Sequence, residues 1–151
     1  MPKKPVKITL KPVTDERLFN SYLLNSAFLR IFGYNANPGN EQIRNNAASE
    51  ICQNEIETSD IVHIFDNSVL QKGKSGIVLT DKAIYVKDMA NSTTKFSALY
   101  SDINSVSTES SGKTSVIILK MKNAAKYEIS IFPEEHNKLV QFLNFAKNMK
   151  S

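Results

Sequence analysis

Few residues in this chain have chemistry to offer. It holds one cysteine, Cys52, two histidines, His63 and His136, and no tryptophan. Gly73-Lys74-Ser75 and Gly112-Lys113-Thr114 each end like a phosphate-binding loop, in which backbone amides and a lysine cradle phosphate oxygens. That loop needs a further glycine about five positions earlier and a helix after it. Positions 68 and 107 are serine, and both segments run into apolar sequence, so both read as hairpin loops. Cys52 lies beside the apolar stripe of a helical pattern, where a small buried residue is expected rather than a nucleophile. His63 falls inside an apolar strand pattern and His136 near the start of the last helix, without metal-ligand spacing, so no metal and no cofactor are expected. The acids are scattered, and no pair of them can be assigned to acid–base work from spacing alone. Asn91-Ser92-Thr93 matches a glycosylation sequon but reads as a loop.

The elements that would position these groups divide near Asp60. Residues 6–10 alternate as a short edge strand, bracketed by Pro2, Pro5 and Pro12. A helix is expected from Thr14, with Thr14 or Asp15 as its cap. Leu24, Ala27, Phe28 and Ile31 make its apolar stripe, widened by Leu18, Tyr22 and Leu23. Gly33 should end it in a left-handed stop. Asn37-Pro38-Gly39-Asn40 is a turn, and Asn40 should cap a second helix over residues 41–57, with Ile43, Ala47 and Ile51 facing inward. Their short connection predicts a helical hairpin.

After Asp60 the period becomes two. Strands are expected over residues 61–65, 75–79, 83–87, 93–99, 103–108, 114–122 and 126–132, with Val116 to Leu119 able to bury both faces. Phe65, Tyr85, Phe96, Tyr127 and Phe132 fall on these strands, where packing is their ordinary role. Pro133, Glu134 and Glu135 open a final helix over residues 133–149, whose inward stripe is Leu139, Phe142, Leu143, Ala146 and Met149.

Composition sets the outer limits. With 151 residues, 41% of them apolar and 23% charged, the chain is globular in character and long enough to fold without staples. No stretch reaches the ~20 apolar residues of a membrane span, and no apolar run follows Met1-Pro2-Lys3-Lys4-Pro5, so neither a span nor a secretory signal is expected. A single cysteine excludes an internal disulfide. The net charge of +4 is unevenly placed: Lys3, Lys4, Lys7 and Lys11 form a basic arm, residues 12–60 are acidic, and residues 61–151 are mildly basic. The lysines concentrate at turns rather than between aromatics, so nucleic acid is not an expected partner.

One stretch resembles a known family. Gly76-Ile77-Val78-Leu79-Thr80-Asp81-Lys82-Ala83-Ile84-Tyr85-Val86-Lys87, followed by Tyr100-Ser101-Asp102-Ile103-Asn104-Ser105-Val106, is similar to bacterial pleckstrin-homology-like (PH-like) and GRAM-like domains. Ile64-Phe65-Asp66-Asn67-Ser68 also fits, and the likeness covers about residues 40–150. It implies an α+β fold: a PH-like bent antiparallel β-barrel with a C-terminal capping helix, here preceded by the helical hairpin. The domain division is then residues 1–14 as arm, 15–60 as hairpin and 61–151 as barrel. It also implies a cytoplasmic, non-catalytic protein–protein interaction or scaffolding module, self-assembly included, acting through sheet edges and the groove beside the last helix. The alternative is peripheral binding to anionic lipid through the arm and Lys72, Lys74 and Lys113, although members that bind lipid carry denser basic loops. An enzyme ranks third. The tryptophan common in the last helix of eukaryotic members is absent, with Phe142 or Phe145 in its place.

Overall fold

The structure, a computed structural model, describes residues 12–66, 73–87, 95–112 and 114–149. The basic arm with its strand pattern at residues 6–10, Lys72, Lys113 and the Asn91 sequon lie outside the described residues.

The first helix, α1, spans Pro12–Phe32. It begins at Pro12 rather than Thr14, since proline's fixed φ suits a first helical turn and its missing N–H is not needed there. Leu24, Ala27, Phe28 and Phe32 are buried, while Tyr22, expected on the stripe, is 66% exposed. Six positions before Phe28, at ~100° per residue, Tyr22 points well away from the inward face. Gly33 follows at φ +84°, and its N–H reaches Leu29 O at 2.9 Å. The left-handed stop that glycine tolerates is therefore present.

The second helix, α2 (Glu41–Asn46), is capped by Asn40, whose Oδ1 accepts from Ile43 N at 2.9 Å. It widens into a π-turn over Ala47–Ile51 and stops there, short of residue 57. Gln53 and Asn54 take φ of 54° and 62°, and two consecutive left-handed residues turn the chain out of any helix.

Among the described residues seven strands follow: β1 Ile61–Asp66, β2 Gly76–Thr80, β3 Ala83–Lys87, β4 Lys95–Leu99, β5 Ile103–Ser111, β6 Thr114–Met121 and β7 Lys126–Ile129. The last helix, α3, is Pro133–Ala146. All pairings are antiparallel, in one sheet ordered β1-β2-β3-β4 and another ordered β5-β6-β7. The α+β class with two antiparallel sheets and a C-terminal helix is as expected; among the described residues no ladder joins the two sheets into a closed barrel, and they enclose a shared core.

That core explains the strand alternation. Ile77 and Leu79 of β2 join Ile84, Val86, Ile117, Leu119, Ile129, Leu139 and Phe142 in one buried cluster. Phe96 of one sheet stacks on Tyr127 of the other at 4.4 Å, so their packing bridges the sheets. The intervening Val78 faces the other way, onto Ala47, Ile51, Cys52 and Ile61. Every residue of β2 is buried, because the four-stranded sheet is covered on both faces.

The two N-terminal helices do the covering, and they do not pair as a hairpin. Leu24, Phe28 and Phe32 of α1 enter the inner core and α1 packs along α3, while the π-turn of α2 packs on the outer face of β2 and β3. A short connection made a hairpin the default, but the β1–β2–β3 face offered each stripe its own apolar surface. α1 thus contributes to the inner cluster, and the π-turn builds a second one on the other face of β2.

Candidate binding surface

The residues that carry the family likeness turn out to be fasteners. Thr80 is buried, and its Oγ1 accepts from Lys82 N (3.2 Å) and Ala83 N (3.0 Å), closing the β2–β3 turn. Tyr100 is buried in a short 3₁₀ turn, Tyr100–Asp102, and its hydroxyl donates to Thr80 O at 2.8 Å. Burial, with Asp81 nearby, raises the Tyr100 phenol well above its ordinary range, so it stays a neutral donor. The turn hands the chain from β4 in one sheet to β5 in the other. Thr80, the turn after it and Tyr100 thus build a corner between the sheets.

Of the basic candidates, Lys74 is exposed just before β2. The glycine before it has a packing reason. Gly73 holds φ +77°, and a Cβ there would lie 2.6 Å from Ile43 O. Its N–H donates to Asp66 Oδ2 at 2.8 Å. Gly73 is thereby seated against α2.

The isolated nucleophile and imidazoles are also accounted for. Cys52 is fully buried, and desolvation together with Glu55 pushes its thiol up to about 12, away from thiolate chemistry. His63 lies among Phe28, Tyr34 and Phe65, with ring centroids 4.4, 6.0 and 4.5 Å away. Its Nδ1 accepts Asn37 N–H at 2.8 Å, and burial pushes its pKa down to about 4, so it is neutral at pH 7. Ile64 N donates to Asn37 O at 3.2 Å, and the α1–α2 connector is thereby laid on the outer edge of β1.

His136 is different. It is buried at the start of α3, and its Nε2 sits 3.0 Å from Thr108 Oγ1 on β5. The pair borders a groove of ≈ 560 Å³ between the far end of the β5–β7 sheet and the first turns of α3. Ser110, Ser115, Ser130 and Asn137 add hydroxyls and an amide to its wall, and among the described residues no lysine, arginine or carboxylate lines it. A hydroxyl–imidazole pair is half of a nucleophile–base arrangement, which also needs a group to orient the imidazole. The neighbouring carboxylate does not serve: Glu135 accepts from the Tyr34 hydroxyl and pairs with Lys138 Nζ at 3.7 Å. Those contacts, with Lys138 also reaching Phe32 O at 3.5 Å, tie the end of α1 to α3.

Beside the groove runs β5, nine residues long and at the edge of its sheet. Among the described residues its backbone bonds only to β6, and Ser107, Thr108, Glu109 and Ser110 are exposed. The open edge and the Thr108–His136 pair were not singled out from sequence. The legible signal was a nine-residue run, Ile103 to Ser111, with no lysine, arginine or proline. Among the described residues no cluster of histidine, cysteine and carboxylate could hold a metal ion, and no helix is long and apolar enough to cross a membrane. No family model, curated protein or solved structure matches this chain.

Proposed function

We propose that this chain is a non-catalytic protein-interaction module on a PH-like frame, whose recognition surface is the outer edge of β5 with the groove beside α3. The observation that carries the reading is the length and chemistry of β5. It presents nine residues of backbone at a sheet edge without a lysine or proline to discourage pairing. A strand laid there gains main-chain hydrogen bonds, and the uncharged groove receives its side chains. The PH-like frame is supported by the four-plus-three strand order, the fastened β2–β3 turn and the C-terminal helix against both sheets. Binding inside the cytoplasm belongs to the same proposal.

Lipid vesicles test this reading against its rival. Each lysine near an anionic membrane contributes about 1 kcal/mol and is screened by salt. Vesicles of phosphatidylserine and phosphatidylcholine should retain the protein only at low salt and release it near physiological ionic strength. Lys74→Glu, combined with Lys72→Glu, should remove what remains. Retention that survives physiological salt and depends on those lysines would make a membrane the ligand and displace the protein-binding reading.

A further inference from the structure

The two sheets have four edges, and three of them are managed. The connector covers β1, with Asn37 bonded to His63 and Ile64. The β4 edge is five residues long and opens on exposed Lys95, and the β7 edge is four residues long and opens on exposed Lys126. Short strands and lysines are how natural sheets keep their edges unpaired. Only β5 is long and uncharged apart from Glu109: α3 packs beside it, but among the described residues no backbone bonds to its outer edge.

The geometry points to a second copy of this chain as the strand that seats on β5, an inference resting on the edge reading above. Two antiparallel β5 strands related by a two-fold axis must be self-complementary. Ser107 is the middle residue of Ile103–Ser111. With the axis there, Val106 faces Thr108, Ser105 faces Glu109 and Asn104 faces Ser110. Glu109, the one charge on the strand, therefore meets a serine hydroxyl that can donate to it and never its own copy. Two three-stranded sheets become one sheet of six, and the exposed row from Ser107 to Ser110 gains partners for its outward amides and carbonyls.

Sedimentation and a single cysteine test this together. The mass of the native chain should double between low-micromolar and several-hundred-micromolar protein, and Ser107→Pro should hold it at the monomer mass. Residues directly opposed in an antiparallel pair have Cα atoms about 4.5–5.5 Å apart, within disulfide reach. Ser107→Cys should thus form a covalent dimer on mild oxidation. Ser105→Cys should not, since its copy lies roughly 13 Å away along the strand. The native chain serves as blank, because Cys52 is buried. A monomer mass at every concentration, or cross-linking through Ser105→Cys instead of Ser107→Cys, overturns the inference. Either result leaves the edge itself to a foreign strand, and that reading fails only if the outward amides of β5 are already protected in monomeric protein.

Discussion

Phe142→Ala should destabilise the fold by about 3–5 kcal/mol, the usual cost of deleting a buried ring and leaving its cavity. Phe142 is fully buried where three elements meet. Its ring lies 5.8 Å from Phe28 and 6.2 Å from Phe32 on α1, and 6.3 Å from Tyr100 at the corner between the sheets. Removing it loosens α1, α3 and the β4–β5 corner together. Against a typical total stability of about 5–15 kcal/mol, such a loss leaves a marginal protein. Urea denaturation reads it directly as a lowered midpoint with an unchanged slope. A midpoint equal to that of the native chain would place Phe142 outside the core.

The second large effect is a loss of stability in mild acid. His63 has a pKa near 6.5 when unfolded and about 4 when folded, and the cause is desolvation among Phe28, Tyr34 and Phe65. Between those values the unfolded chain holds the proton and the folded chain does not. Its contribution is therefore complete above pH 6.5, shrinks as the pH falls, and is gone below about 4. The span corresponds to roughly 3 kcal/mol. Protonation of Nδ1 would also break the bond from Asn37 N, so the connector on β1 should loosen first. His63→Phe keeps the ring and removes the titration, so the difference between the two unfolding free energies should change across pH 6.5 to 4. Parallel pH profiles for the native chain and the variant would show that His63 does not titrate through folding.

The same residues show what a sequence can and cannot disclose. Alternation at Ile77, Val78 and Leu79, or at Tyr127 and Ile129, follows from local geometry, and so the seven strands and α3 were legible. The helix stripe of Leu24, Ala27, Phe28 and Ile31 left out Phe32, which is buried while Ile31 is only partly so, and it announced a buried face but not what covers it. That is why α1 and α2, expected as a hairpin, lie instead on opposite faces of one sheet. The end of α2 was missed because Gln53 has no strong bias against helix, while both Gln53 and Asn54 take left-handed backbone just after buried Cys52. Which strands end up at edges depends on pairing between distant segments. The strand expected over residues 103–108 therefore carried no sign of being an edge, and it runs on to Ser111. The Thr108–His136 pair joins residues on β5 and α3 and needed the fold to be seen. The hydrogen bonds of Thr80 and Tyr100, which join the β2–β3 turn to the corner between the sheets, likewise needed the fold to be seen.

Amide hydrogen exchange along β5, in protein dilute enough to show a monomer mass, tests the central claim most directly. In an antiparallel edge strand every second N–H points away from its neighbour. Between Ile103 and Ser111, amides directed at β6 should exchange slowly, and the alternate ones should exchange near the rate of an open chain. The amides of Ile117, Ile118, Leu119 and Lys120 on β6, flanked by both β5 and β7, should all be slow. An alternating pattern supports an edge available for recognition. Uniform protection from Asn104 to Ser110 in the monomer would mean that the edge is already occupied, and the proposed binding surface would be lost.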